Sequence, residues 1–174
     1  MKISLLKLLT LLIISWATTT NGFSQILSAY IGIDGLTCSL CSNTVEKSIE
    51  ELAFVKEIKM NLNETTAYVY FKENAKVDLN KLAKKVKDAG YSLRFTKITL
   101  ILEKDSVQEG EIVQSGDLQF YFISLSQPIT TTSSEITLIG RDFIARKEFS
   151  QWKSQVKEAE RKINNVSNIY FVTN

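Results

Sequence analysis

The chain has 174 residues, 44% of them apolar and 23% charged, which is the composition of an ordinary globular protein with room for one or two small domains. Its formal charge is +2, and Lys2 and Lys7 of the first 24 residues account for all of it, so no basic surplus points to a nucleic-acid partner. The absence of histidine excludes His-dependent triads, Cys-His nucleophile pairs and His-bearing zinc sites, and the chain is expected not to be an enzyme.

At the N-terminus, Lys2 and Lys7 flank the start of an apolar run from Leu5 to Trp16, and polar Thr18-Thr19-Thr20-Asn21 follows. That is the layout of a secretory signal peptide over residues 1–24, with cleavage expected after Ser24. The run is shorter than the ~20 apolar residues a bilayer span needs. A secreted or periplasmic protein with no stable membrane insertion after cleavage is expected.

From Ala29 to Ile33, apolar side chains alternate with Tyr30 and Gly32, predicting a half-buried strand that Asp34-Gly35 ends. Between Ser39 and Leu52, Val45, Ile49 and Leu52 fall on one stripe of an amphipathic helix. Period two returns in Ile58, Met60 and Leu62 and again in Ala67, Val69 and Phe71, which predicts a hairpin across Asn63-Glu64-Thr65. Leu79, Leu82, Val86 and Ala89 mark a second helix with a basic outer face and Gly90 at its C-terminal end. A strand from Tyr91 to about Leu102 completes the order strand, helix, strand, strand, helix, strand. The expected class is α+β, a ferredoxin-like βαββαβ sandwich over residues 25–102.

Residues 103–174 are expected to form a second small α+β region of unknown role. Asp105 to Gly116 reads as a connection containing a short extended piece, Leu118 to Leu125 as an aromatic strand, Pro128 to Ser134 as a loop and Ile136 to Ile139 as a strand. Phe149, Trp152, Val156, Ala159 and Ile163 alternate spacings of three and four, predicting a helix docked on its own small sheet. Ile169 to Val172 reads as a final short strand.

Chemistry concentrates in Gly35-Leu36-Thr37-Cys38-Ser39-Leu40-Cys41, where the first strand gives way to the first helix. Two cysteines three apart at a helix N-terminus have their thiolates favoured by free N–H groups and the helix dipole. Such a pair suits a soft ion, Cu(I) first, with Zn(II) or another soft metal behind it, and leaves the ion open to a further sulfur from a partner.

These residues resemble the signature Gly-Met-Thr-Cys-x-x-Cys of the heavy-metal-associated domain, the module of copper chaperones and of the N-terminal extensions of copper-transporting ATPases. The resemblance covers residues from about 27 to 102 and implies Cys38 and Cys41 as metal ligands, in metal transport, buffering or delivery to a metal-transporting or metal-accepting protein. Leu36 stands where the family has methionine, a core residue beneath the loop. Thr37 stands where zinc-handling relatives often carry an acidic ligand, which favours copper. Tyr91, after Ala89-Gly90, matches the aromatic type of the nearby loop; Thr37 and Tyr91 are expected beside the metal rather than on it.

Two other readings use the same cysteines. Cys-x-x-Cys at a strand-to-helix junction is also the layout of thiol-disulfide redox proteins. Those resembling thioredoxin carry an aromatic residue before the first cysteine and a proline opposite the pair; here Thr37 precedes it and Pro128, the sole proline, lies in the tail. The third reading is a protein-interaction module with a structural dithiol.

Overall fold

Alternation of side-chain size gives β1 (Ile26–Asp34) two unlike faces: Ala29, Ile31 and Ile33 are buried, whereas Ser28 and Tyr30 are half-buried on the other side. The structure is a computed structural model and describes residues 26–102, 106–126, 129, 133–163 and 169–174. The expected signal peptide, residues 1–24, and Pro128 lie outside the described residues.

β1 leads into α1 (Ser39–Glu50), which buries Val45 and Ile49. The hairpin of β2 (Val55–Asn61) and β3 (Thr66–Phe71) turns where the Asn61 side-chain oxygen accepts from the N–H groups of Asn63 and Glu64, at 3.1 and 3.3 Å. That local bond ends β2 at Asn61. α2 (Leu79–Asp88) is capped by Asp78, whose carboxylate accepts the Lys81 N–H at 3.0 Å. It stops at Gly90, φ +91°, the left-handed conformation that releases the chain into β4 (Ser92–Ile101). Leu79, Leu82 and Val86 of α2 join Val45 and Ile49 of α1 in the core over one face of the sheet. The βαββαβ order expected from the sequence is present, with strands in the spatial order β2-β3-β1-β4.

The sheet does not stop there. β4 would be an edge of unpaired backbone groups, and β7 (Ser133–Ile139) pairs antiparallel with it, Lys97 to Ile101 facing Thr137 to Ser133. β8 (Ile169–Thr173) follows β7, then β6 (Leu118–Ser124) and β5 (Ile112–Ser115). Among the described residues, eight strands thus form one sheet, antiparallel at each seam except the parallel pairing of β6 with β8.

Because side chains alternate along a strand, the added strands serve two cores. Phe120, Phe122, Leu138 and Val172 extend the core that α1 and α2 cover. Their neighbours Tyr121, Ile123 and Ile139 point the other way, against Val156 and Ala159 of α3 (Arg146–Lys162). The apolar stripe of α3 therefore packs on the sheet as its spacing predicts, with Val156 and Ala159 buried and Phe149, Trp152 and Ile163 half-buried against them. Its platform differs from the expected small separate sheet: it is the far half of the shared one, because edge pairing with β4 joins the two regions.

Candidate metal centre

Gly35, at φ +90°, lets the chain leave β1 in a turn that a β-carbon would strain. Leu36 then drops into the core with 4% of its surface exposed, anchoring the loop from below. Cys38 is extended, at φ −148° and ψ 160°, and forms the N-cap of α1. Its Sγ accepts a hydrogen bond from the Cys41 N–H at 3.2 Å, and its carbonyl accepts from the Ser42 N–H at 3.2 Å.

Cap and first turn bring the two cysteines together, with Cα atoms 5.3 Å apart, and the structure holds them as a disulfide. Cys38 is exposed, Cys41 is half-buried against the core, and Leu40 between them is 73% exposed. The pair therefore opens to solvent. In the reduced state the unpaired N–H groups of the first helical turn and the helix dipole favour thiolates at this position. Among the described residues, no group of three or more His, Cys, Asp or Glu side chains is placed to hold an ion, so a closed four-ligand zinc site is not built here.

Residues 31–92, spanning β1 to the start of β4 and including both cysteines, match the family model of the heavy-metal-associated domain. This segment is a heavy-metal-associated domain. A copper-transporting ATPase of Helicobacter pylori is 39% identical to the chain over 72 residues, which are 41% of this chain and 9% of the ATPase. A mercuric transport protein periplasmic component of Pseudomonas aeruginosa is 38% identical over 61 residues, 35% of this chain and 66% of the relative. Among solved structures, the N-terminal domain of a potential copper-translocating P-type ATPase from Bacillus subtilis is 26% identical, covering 40% of this chain and 85% of that one, with a TM-score of 0.36. The chain thus spans 9% of the length of the ATPase relative.

Within the heavy-metal-associated domain, Tyr91 is half-buried, and its ring carbons lie 3.5 and 3.8 Å from where a β-carbon on Gly35 would stand. Tyr91 therefore packs against the start of the cysteine loop. Thr37 is exposed, and its hydroxyl has no hydrogen-bond partner among the described residues. Arg94 belongs to no motif in the sequence. Its guanidinium donates to the Thr65 hydroxyl at 3.0 Å and the Glu64 carbonyl at 3.1 Å, and reaches Asp34 at 3.6 Å. It ties the β2–β3 turn to the residue that precedes Gly35. The only sequence signal was an arginine on the outward register of a strand.

Proposed function

We propose that the protein is an exported carrier of a soft metal ion, Cu(I) first, which Cys38 and Cys41 hold as thiolates and pass to a metal-transporting or metal-accepting protein. The observation that carries this reading is the pair itself: two sulfurs on the first turn of α1, open to solvent, in a heavy-metal-associated domain. Two thiolates suit an ion that accepts low coordination, and the exposed side leaves room for a third sulfur during hand-over. The copper and mercury named for the relatives are both soft ions. Export rests on the pattern of residues 1–24, and the periplasmic relative supports it.

Loading requires the dithiol, because the disulfide leaves no thiolate to bind. That dependence gives the test. Reduced protein lacking residues 1–24 is titrated anaerobically with Cu(I), Hg(II) and Zn(II) against competing chelators, with thiols counted before and after. One-to-one Cu(I) binding that protects both thiols, with weaker Zn(II) binding, is expected. Negligible binding of all three, with a disulfide that cycles readily against a dithiol buffer, would replace this reading with thiol-disulfide redox chemistry. The Cys38–Cys41 disulfide is the observation that keeps the redox alternative in view.

A further inference from the structure

A cleft of about 780 Å³ lies between α2 and the turn that carries β7 into α3. One wall belongs to the heavy-metal-associated domain, with Asp34, Lys84, Lys87 and Tyr91. The other, with Arg141, Asp142 and Arg146, belongs to the C-terminal region. Its floor includes Ala83, Leu93 and Ile144, all buried. A volume of this size falls in the range of small-molecule sites, ~300–1,000 Å³, which combine an apolar floor with a few polar groups.

The acids around the cleft are already engaged. Asp88 pairs with Lys84 at 2.6 Å, Asp142 with Lys87 at 3.6 Å and Asp34 with Arg94 at 3.6 Å. Arg141 and Arg146 have neither an ion pair nor a hydrogen bond among the described residues. Among the described residues, two guanidinium groups without a paired acid therefore line the same wall. Each offers a planar fork of donors that matches the two oxygens of a carboxylate or a phosphate.

We propose that this cleft binds a small multivalent oxyanion, gripped by Arg141 and Arg146 of the C-terminal region against the wall supplied by α2. The site would give residues 103–174 a task that the metal-binding segment cannot perform alone, since both arginines lie outside it. Tyr91 is shared between the cleft and the packing on Gly35, so an occupied cleft would adjoin the cysteine loop. The proposal does not depend on metal binding.

The test uses the protein lacking residues 1–24, oxidised and metal-free, so that its outcome is independent of the metal reading. Citrate and pyrophosphate are titrated separately at low ionic strength by calorimetry, with amide NMR shifts as the map. Saturable one-to-one binding is expected, with shifts at residues 84–88 and 141–146. R141A/R146A should bind at least about a hundredfold more weakly, the loss expected for two charge-assisted contacts. R141K/R146K, which keeps the charge and loses the forks, should fall between the two. K153A/K157A removes equal charge from exposed positions of α3 outside the cleft and should bind as the parent does. Binding of citrate alone would identify a polycarboxylate, and of pyrophosphate alone a phosphate compound; either supports the site. Absence of saturable binding to both anions, or equal weakening in the two alanine pairs, would overturn it.

Discussion

The backbone N–H of Cys41 donates to the sulfur of Cys38 at 3.2 Å, so the side chain that caps α1 is also one of the two sulfurs of the proposed metal site. The two roles can be separated. C38S keeps a cap acceptor and removes a thiolate: in urea melts of the reduced protein it should unfold within about 1 kcal/mol of the parent. C38A removes both and should cost about 1 kcal/mol. Both variants should lose tight Cu(I) binding in the same titration. A C38S protein that fails to fold would make the cysteine structural and sink the ligand assignment.

Gly32 and Phe95 face each other across β1 and β4, and a β-carbon on Gly32 would overlap the Phe95 ring. G32A should therefore destabilise the protein by roughly 1–3 kcal/mol, the usual cost of overpacking. Removing the ring should relieve it. In a double-mutant cycle read from urea midpoints, G32A/F95A should be more stable than the two single effects added together. Additive effects would show that the ring swings aside freely.

Burial holds the Tyr170 hydroxyl in its neutral form, and the negative charge of Asp78 adds to the effect; together they push its pKa up to about 12 from 10.0, against a hydrogen bond from Asn80 that pulls the other way. The folded state keeps this proton where the unfolded state has released it. The resulting stability is complete below pH 10 and is lost as pH rises through about 12. The loss should reach roughly 2–3 kcal/mol. Urea melts between pH 9 and 12 should show a steeper decline for the parent than for Y170F.

Cutting the chain after Leu102 would test whether the heavy-metal-associated segment stands alone. The cut would bare the β4 edge from Lys97 to Ile101 and strip Ile136 and Leu138 from the core that Ile98 and Leu100 share with them. Sedimentation should show association that grows with concentration, and thermal melts should show a lower midpoint than the full chain. A monomer with an unchanged midpoint would mean that the C-terminal strands add nothing to this half.

The first half of the chain was legible because its periods are clean. Ala29, Ile31 and Ile33 announce a strand, Val45 and Ile49 a helix, and Gly90 an end that the positive φ requires. Cys38 and Cys41 were legible as a pair because their spacing fixes them on one helical turn. What stayed hidden lies between distant segments. Nothing in Ser133 to Ile139 says that its backbone will pair with β4, since main-chain hydrogen bonding is indifferent to side-chain identity. The dense apolar run Phe120 to Ile123 was readable as a strand, yet its two-sided burial makes sense only once α3 is seen on one face and the extended core on the other. Arg141 and Arg146 carried no signal either, because their meaning comes from the α2 surface opposite them.

The position of β8 between β7 and β6 also sets an order of assembly. The β5–β6 hairpin is complete by Ser124, but its place in the sheet exists only when Ile169 to Thr173 has arrived to lie beside it. A chain emerging vectorially from a ribosome or a translocation pore can therefore close its cysteine-bearing half early, while an aromatic hairpin waits some forty-five residues for its neighbour. Over that interval the hairpin lacks the strand that seats it in the sheet, which makes the β6–β8 seam the step at which misassembly would concentrate.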